Sequence, residues 1–595
     1  MGVGLLEARH TRAVRQVEEL LNHLGDVRTV PDHELARYKR GFVRGWEVPG
    51  LCGASQQRLR LLVAPEFPFC PPRVAVVPAP PVLSCPHLEE QGLLCLLSEA
   101  ASHSVEDIES VVVQLLQDAQ SLVVACHAGE GFEQFEDEFQ SYWVRWAQTT
   151  AGMSSLCRPE GPSRWVCAWH GRTGAVIAED ETAVRNWMGN RSGSEKRAKI
   201  SLQPIPLLWL PRPLRPIEYP ATVGALFSLL KDDAQSRRML EQLLIDPRTP
   251  SKTVLLGFSG RQGASFAGLR IREPARQKGS GNPLTKGFRG PPPPGILVAR
   301  YRSAPIIGAS VTRYDAAWIH GRDHNPHIAD LQAKAVVILG TGSLGSPIAD
   351  LLSKSGVRNI TLVDPERLES ENVGRHRLGV DSVGQNKAVA QSRSLASHLP
   401  HLELNGVGQS WEDFAQSTPE RFRLADLVIS LIGSWGAESR LNALALATKT
   451  FPPVLYGWTE PHAAAGHAVV LFPGTACFRC LTDQLGKPHD VVTDWGEEGA
   501  MLPVPACGGL FQPYGAVELA HVHALIADLV LDVLLGRVTS ATHRVWIGQR
   551  KVIDRAGGEW AESWIARHGD PGEGGIVTEA LATKDPGCPE CGGPS

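Results

Sequence analysis

The feature that most restricts the fold is a short stretch in which an apolar run at 335–339 leads directly into the glycine-rich segment GTGSLG at 340–345. A helical stretch follows, and a second apolar run at 359–363 ends in Asp364. A buried strand, a glycine turn, a helix and a second strand with an acidic end form the order of a nucleotide-binding βαβ unit. Glycines let the backbone approach phosphates, and a carboxylate suits a ribose diol. We therefore predict that Gly340, Gly342, Gly345 and Asp364 bind a nucleotide.

The length and composition predict several folded units. At roughly 100–200 residues per domain, the 595 residues correspond to about three to six domains. Hydrophobic residues make up 43% and charged residues 21%, which excludes a wholly disordered, collagenous or coiled-coil chain. The net charge of -4 does not indicate nucleic acid as a partner. Because the N-terminus has no signal or lipidation pattern, and no apolar run has membrane-spanning length, we expect a cytoplasmic chain that does not bind membranes.

Changes in composition divide the chain into three parts. Residues 1–150 carry a helical pattern at 12–21, strand-like runs at 59–64 and 73–77, and a helix at 105–120, as in a compact α+β unit. Residues 151–304 mix apolar runs with prolines and end in a Pro/Gly-rich stretch, so we interpret them as a connecting domain with a linker. Residues 305–595 hold the nucleotide-binding unit and a long apolar helix at 513–535. The predicted fold class is a multidomain α/β protein.

The cysteines indicate a metal site in the C-terminal part. Cys477 and Cys480 form one C-x-x-C pair, and Cys588 and Cys591 form a second. Four thiolates in two such pairs are the ligand set of a closed, tetrahedral structural Zn²⁺ site, with redox-active dithiols as the alternative. The seven cysteines of the first 170 residues are scattered, and no disulfide framework is expected in a cytosolic chain.

Two segments after Asp364 carry a family resemblance. The sequences ENVGRH at 371–376 and VGQNK at 383–387 resemble the adenylating enzymes of the ThiF/MoeB and ubiquitin-activating superfamily. The resemblance implies a Rossmann-like adenylation domain that uses ATP and Mg²⁺, in which Asn372, Arg375 and Lys387 surround the phosphates. Such cations and amides would stabilise charge on the α-phosphate and on the departing pyrophosphate.

Three further positions follow from the same resemblance. Arg313, in VTRYD at 311–315, corresponds to an arginine that reaches the ATP of a partner subunit in homodimeric relatives; the alternative is a surface arginine at a helix start. Cys507, in PVPACGG at 503–509, corresponds to a thioester-forming cysteine; the alternative is a buried, unreactive thiol. Gly433 stands where relatives carry a magnesium-organising aspartate, which leaves open how Mg²⁺ is held.

The first 150 residues resemble a ubiquitin-conjugating domain. The motifs are FPFCPPRV at 67–74, CPHL at 85–88 and GLLCL at 92–96. In that family a catalytic cysteine lies eight residues after the asparagine of a His-Pro-Asn turn, and Cys95 lies eight residues after His87. The resemblance implies that Cys95 accepts the thioester. It also implies that His87, in place of the asparagine, steadies the oxyanion, unless its role is purely structural.

The order of the two domains resembles the fused activating and conjugating enzymes of bacterial CBASS anti-phage operons. This implies adenylation of a protein C-terminus, capture on Cys507, transfer to Cys95 and delivery to a target amine. The modified partner would be a cGAS/DncV-like nucleotidyltransferase. The alternatives are a sulfur-carrier adenylyltransferase for which Cys95 is dispensable, and a nucleotide-binding scaffold without catalysis. An NAD-dependent oxidoreductase is disfavoured because Arg375 and Lys387 would have no purpose near a nicotinamide.

Overall fold

The structure is a computed structural model that describes most of the chain. The described residues are 2–23, 25–49, 57–97, 102–147, 151–172, 174–192, 201–249, 251–274, 282–496, 502–503 and 510–592. One predicted site residue, Cys507, lies outside them.

The N-terminal unit is an antiparallel sheet of four strands with helices packed against it. The sheet order is β1-β2-β3-β4. Leu59, Leu61 and Val63 alternate along one strand and point into a core shared with Val17 and Val112 of two long helices. The elements are α1 (Gly2–Asn22), β1 (Arg28–Thr29), α2 (Asp32–Leu35), β2 (Arg44–Pro49), β3 (Arg58–Val63), β4 (Arg73–Val77), α3 (Ile108–Ala128), α4 (Gln134–Asp137) and α5 (Phe139–Trp146). The predicted α+β unit is confirmed.

Helix α3 is the one helix in the described part of the chain whose length and composition would allow it to cross a membrane. Its residues Ile108, Val112, Leu115 and Ala119 are buried in the core of the N-terminal unit. The apolar face of α3 therefore packs against the sheet.

The connecting unit is built on an eight-stranded sheet of order β11-β10-β9-β8-β6-β7-β5-β12. Phe139 and Trp143 of α5 lie in its core, and the Trp143 indole donates to the Ala309 carbonyl at 2.9 Å. The elements are β5 (Met153–Ser155), β6 (Arg164–His170), β7 (Ala175–Ala178), α6 (Glu181–Ser192), β8 (Leu202–Leu210), α7 (Val223–Leu229), α8 (Ala234–Ile245), β9 (Lys252–Gly260), β10 (Gly263–Ile271), α9 (Pro294–Tyr301), β11 (Ile306–Ala309) and β12 (Val311–Arg313). The sheet thus continues past the predicted boundary at 304, because the chain returns to it twice before the nucleotide-binding unit begins.

The C-terminal unit has a mixed eight-stranded sheet of order β15-β14-β13-β16-β17-β18-β22-β24. The first five strands are parallel and the rest are antiparallel. The helices are α10 (Ala316–Ile319), α11 (Ile328–Ala333), α12 (Gly345–Ser355), α13 (Lys387–His398), α14 (Trp411–Ser417), α15 (Pro419–Arg423), α16 (Trp435–Ala447), α17 (Ala516–Leu534), α18 (Arg550–Ala556) and α19 (Glu562–His568). The strands are β13 (Ala335–Leu339), β14 (Asn359–Val363), β15 (Glu403–Val407), β16 (Leu427–Ser430), β17 (Val454–Thr459), β18 (Ala465–Leu471), β19 (Thr493–Asp494), β20 (Leu502–Pro503), β21 (Leu510–Phe511), β22 (Thr542–Gln549), β23 (Glu559–Trp560) and β24 (Gly574–Leu581).

The strand order of this sheet reverses between β13 and β16. Helix α12, after β13, packs in the core on one face of the sheet, and helix α16, after β16, packs in the core on the other. A crevice therefore opens beyond the carboxyl ends of β13 and β16, the place where parallel α/β sheets bind ligands.

Candidate functional site

The glycine turn lies at the mouth of this crevice, and its three glycines have different roles. Gly340 has φ +85°, and a Cβ there would lie 2.7 Å from the carbonyl oxygen of Leu431. A Cβ on Gly345 would overlap the Gly340 carbonyl. A Cβ on Gly342, in contrast, would meet no atom within 4 Å. Two glycines are therefore required by packing, while Gly342 borders open space that a phosphate can approach.

Asp364 fixes the turn. Its Oδ2 accepts from the Thr341 N–H at 2.6 Å and from the Thr341 hydroxyl at 3.0 Å, and its Oδ1 accepts from the Glu366 N–H at 2.8 Å. The carboxylate is almost fully buried. Asp364 therefore holds the turn to β14, a positioning role that the sequence prediction of a ribose contact did not include.

Two histidines that the sequence analysis did not identify hold the carbonyls of the turn. His376 Nε2 lies 2.7 Å from the Thr341 oxygen, and His523 Nε2 lies 2.8 Å from the Ser343 oxygen. The Leu378 N–H donates to His376 Nδ1 at 3.0 Å, so Nε2 carries the proton of this ring. Burial lowers the pKa of both histidines. Neutral rings thus anchor two carbonyls of the turn.

The predicted phosphate-binding residues gather around this turn. The Lys387 ammonium is buried and lies 2.6 Å from Glu366 Oε2, and Glu366 is joined to Asp364 through its N–H. The Arg375 guanidinium lies 5.3 Å from the centre of the Tyr514 ring, and the Tyr514 hydroxyl lies 3.3 Å from the Ser343 hydroxyl. Two cationic side chains are thus within one network of contacts with the glycine turn.

Asn372 is held in the same loop by hydrogen bonds from backbone N–H groups. Its Oδ1 accepts from the Glu369 N–H at 3.1 Å, and its carbonyl accepts from the His376 N–H at 3.0 Å. Asn372 therefore connects the loop to the histidine that holds Thr341. Tyr514, His523 and Glu366 come from distant segments or carry no motif, so no local sequence signal identifies them.

A carboxylate does stand near Gly433, although it comes from the next helix. The Ser430 hydroxyl, at the end of β16, donates to Glu438 Oε1 at 3.1 Å. Burial raises the pKa of Glu438 to about 7. Glu438 lies five residues after Gly433 in the first turns of α16. It was missed because the expected carboxylate was sought at position 433 itself.

Arg313 does not reach outward in the structure, and the predicted contact to a partner's ATP stays a prediction. Its Nε and Nη2 donate to Asp315 at 2.8 Å each, both Nη atoms donate to Asp323, and Nη1 donates to the Ala264 carbonyl at 2.7 Å. All five N–H groups are therefore used within the chain. The side chain is only 5% exposed. Arg313 joins the connecting sheet to the segment before α11 through these hydrogen bonds.

Cys95 and His87 are adjacent in the N-terminal unit, as their spacing predicts. The Cys95 N–H donates to the His87 carbonyl at 2.9 Å, and Cys95 is exposed. His87 has φ +57°, a conformation unusual for a residue with a side chain. Its N–H donates to the Tyr142 hydroxyl at 3.0 Å, which donates to Glu138 at 3.1 Å. Tyr142, from α5, thus holds the turn beside the thiol, and no motif marks it.

The electrostatic surroundings of Cys95 do not activate the thiol. Partial burial of the sulfur contributes most to raising its pKa, followed by the Glu89 carboxylate; Arg73 lowers it, Glu138 adds a smaller increase, and Arg145 lowers it least. Glu89 is itself paired with Arg73 at 3.1 Å. The thiol is accessible but protonated at neutral pH, so it must lose its proton before it can accept an acyl group.

One disulfide joins Cys85 to Cys126, with the two Cα atoms 5.7 Å apart. It connects the turn that carries His87 to α3. The fold brings these two cysteines together across 41 residues, and a single pair of this kind is not a disulfide framework.

The two C-x-x-C pairs meet, although more than a hundred residues separate them. The sulfur of Cys477 lies 3.8 Å from that of Cys480 and 3.6 Å from that of Cys588, and Cys480 and Cys591 are 3.3 Å apart. Four sulfurs at about 2.3 Å from a tetrahedral Zn²⁺ would be separated by roughly 3.8 Å. The donor set and its spacing fit zinc. Such a site would tie the C-terminal segment to the loop after β18.

The segment that carries Cys507 begins and ends at described strands. β20 pairs with β21 in antiparallel register, Leu502 opposite Phe511. Tyr514, seven residues after Cys507, contacts Ser343 of the glycine turn.

Comparison with known proteins agrees with both halves of the chain. Residues 321–542 match the ThiF family, and residues 30–151 match the prokaryotic E2 family B. The ATP-dependent ubiquitin transferase-like protein Cap2 of Pseudomonas aeruginosa is 27% identical over 83% of this chain and 87% of its own length. Cap2 of Vibrio cholerae is 22% identical over 76% of this chain and 80% of its own. The solved structure of Escherichia coli MccB with MccA-N7isoASN has 19% identity and a TM-score of 0.31 over 45% of this chain and 69% of its own.

The two matched segments coincide with the two sites described above. The first contains His87 and Cys95, and the second contains the glycine turn, Arg375 and Lys387. The chain carries an E2 family B segment followed by a ThiF-family segment, and over most of its length it is similar to the Cap2 proteins.

Proposed function

We propose that the chain adenylates the C-terminal carboxylate of a protein, carries the acyl group on Cys507 and then on Cys95, and joins it to an amine. The observation that carries the proposal is that one chain contains a cationic glycine-turn crevice and an exposed cysteine hydrogen-bonded to a histidine turn. An enzyme that only activates a sulfur carrier has no use for the second feature.

In the first step a carboxylate oxygen attacks the α-phosphate of ATP, and pyrophosphate leaves. Negative charge grows on the phosphate oxygens, where Lys387, Arg375 and the N–H groups of the turn stabilise it. Bound Mg²⁺ supplies further positive charge to these oxygens.

We propose Glu438 as the carboxylate that holds the metal in place of the residue missing at Gly433. Glu438→Gln would then raise the Mg²⁺ concentration needed for half-maximal activity about tenfold and weaken Mg²⁺-dependent ATP binding in calorimetry, whereas unchanged values for both would exclude this role.

In the second step the Cys507 thiolate attacks the acyl carbon, and AMP leaves. The Cys95 thiol then loses its proton and attacks the Cys507 thioester, and the departing Cys507 thiolate takes up a proton. Finally a target amine attacks the Cys95 thioester, the sulfur leaves as a thiolate and the amine loses its proton to solvent. His87 donates a hydrogen bond to the oxyanion of this last step. Each exchange keeps the acyl group activated until the amide forms.

The similarity to Cap2 proteins over most of the chain supports a place for this reaction in anti-phage defence of the CBASS type. We propose a cGAS/DncV-like nucleotidyltransferase as the protein whose C-terminus is activated. We also propose that Zn²⁺ occupies the four-cysteine cluster and that the enzyme is a cytoplasmic homodimer.

ATP–pyrophosphate exchange, measured with a candidate nucleotidyltransferase, tests the first step. Wild type and Cys95→Ala should exchange equally, because Cys95 acts only after adenylation, and Lys387→Ala should lose exchange by at least a hundredfold. Deleting the last residue of the candidate protein should abolish exchange with every variant. Binding of ATP without exchange would instead identify a nucleotide-dependent scaffold.

A further inference from the structure

The connecting unit contains a polar cavity that the proposed reaction does not use. It lies beyond one end of the strands of the eight-stranded sheet, beside the last residues of β6 and β10 and the first residues of β9 and β11. Its volume is about 580 Å³, which is within the range of sites for small ligands. Its lining belongs entirely to the connecting unit, so it is separate from both the glycine-turn crevice and Cys95.

The charged residues that line this cavity are all basic. They are His170, Lys252, Arg270 and Arg272, and no aspartate or glutamate is among the lining residues. The Lys252 ammonium turns away and donates to the carbonyls of Leu243 and Asp246 at the end of α8. The two arginines therefore determine the charge of the cavity.

Arg270 is a half-buried cation without a counter-ion. Its Nη2 donates to the Ala151 carbonyl at 3.0 Å, and its buried Nε has no partner among the described residues. Neither Arg270 nor Arg272 forms an ion pair with a carboxylate in the described part of the chain. A buried cation of this kind is unfavourable until an anion or acceptor joins it. The protein maintains this charge at a cavity wall, where a ligand can neutralise it.

His170 offers a neutral donor beside Arg270. The Gln203 amide nitrogen lies 2.8 Å from His170 Nε2 and donates to the Ser251 carbonyl at 2.7 Å. Because an amide nitrogen donates, His170 Nε2 accepts and its proton is on Nδ1. Burial and the neighbouring Arg270 lower the pKa of His170 to about 4, so the ring remains uncharged. Hydrogen-bond donors therefore predominate among the side chains that line the cavity, and these side chains include the hydroxyls of Ser251 and Thr253.

We propose that this cavity binds a phosphate-type oxyanion carried by a small ligand. Two guanidinium groups, a ring N–H and hydroxyls supply more donors than a carboxylate requires, and they match the oxygens of a tetrahedral dianion. The basic lining excludes a divalent cation, and its polarity excludes an apolar ligand. The phosphate can be free or part of a nucleotide, since the cavity has room for either.

The test titrates the full chain with inorganic phosphate, pyrophosphate and AMP in calorimetry while a non-hydrolysable ATP analogue fills the glycine-turn crevice. Arg270→Gln should weaken binding of each probe that binds wild type by at least tenfold, and His170→Gln by about threefold. Arg238→Gln, an exposed arginine of the same unit, is the charge-matched control and should bind as wild type does. Hydrogen exchange should slow on binding at 168–172, 251–254 and 268–272.

The outcomes separate the sources of the phosphate. Equal affinity for AMP and inorganic phosphate would identify the anion as the whole ligand, and affinity for AMP more than tenfold higher would identify a nucleotide site; both support the proposal. No binding by wild type, or equal binding by Arg270→Gln, would overturn it. If Arg270→Gln does not fold, His170→Gln gives the deciding comparison by the same criteria.

Discussion

The strongest structural prediction concerns Arg313, whose five N–H groups are all occupied within the chain. Replacement by glutamine removes the positive charge between Asp315 and Asp323, whose side chains are only 4% and 10% exposed. Removing one partner of a buried ion pair costs about 3–5 kcal/mol. Since each 1.4 kcal/mol corresponds to about a factor of ten, local opening near residues 313–323 should become more frequent by a factor of roughly 10² to 4 × 10³.

Native-state hydrogen exchange of peptides covering 311–325 and 262–266 measures this opening directly. Arg313→Lys keeps the charge but cannot make five hydrogen bonds, so its effect should be intermediate. Arg322→Gln removes the same charge from an exposed position in the same segment and should leave exchange unchanged. Two results together would refute the reasoning. The first is that Arg313→Gln shows wild-type hydrogen exchange yet loses adenylation, and the second is that mixing it with Lys387→Ala subunits restores activity. Arg313 would then act on a partner's ATP.

Three further predictions follow from the sites. Gly345→Ala should lower the midpoint of thermal unfolding because its Cβ overlaps a carbonyl. Gly342→Ala should leave this midpoint unchanged but weaken ATP binding at least tenfold in titrations. The opposite pattern in the two variants would contradict the account of the turn. Burial and Glu89 raise the pKa of Cys95, so the rate of its alkylation by iodoacetamide should still increase with pH above pH 9. Glu89→Gln should shift this rate–pH profile to lower pH. A rate that becomes constant below pH 8 in wild type would contradict the raised pKa. Cys588→Ser should reduce bound zinc from one equivalent per chain and expose the C-terminal segment to protease, and full zinc content in this variant would argue against the four-cysteine site.

Local patterns in the sequence predict the nucleotide-binding core well. The strands at 335–339 and 359–363 and the helix between them lie where the apolar runs and the glycine turn place them. The reason is that a buried parallel strand and a glycine-initiated helix are specified by neighbouring residues. The two cysteine pairs were likewise predictable, because C-x-x-C spacing is itself a feature of the ligand geometry.

The rest of the site depends on contacts that sequence spacing does not encode. Tyr514 meets Ser343 across 171 residues, and His523 meets the same residue's carbonyl across 180. Arg313 matches a family motif, but its role is set by Asp323 and by a carbonyl of the connecting sheet, which no motif indicates. Sequence motifs therefore identify the segments that carry Ser343 and Arg313. The contacts of each side chain depend on residues that the fold brings near it from distant parts of the chain.

The two-cysteine relay is tested most directly by following thioesters on gels. Wild type, Cys507→Ala and Cys95→Ala are each incubated with ATP, Mg²⁺ and a candidate nucleotidyltransferase, and the products are compared with and without reducing agent. The account predicts that Cys507→Ala forms no adduct, and that Cys95→Ala forms a reducible adduct but no stable amide product. A stable product from Cys95→Ala in wild-type yield would contradict the relay and leave the sulfur-carrier type of activation in its place.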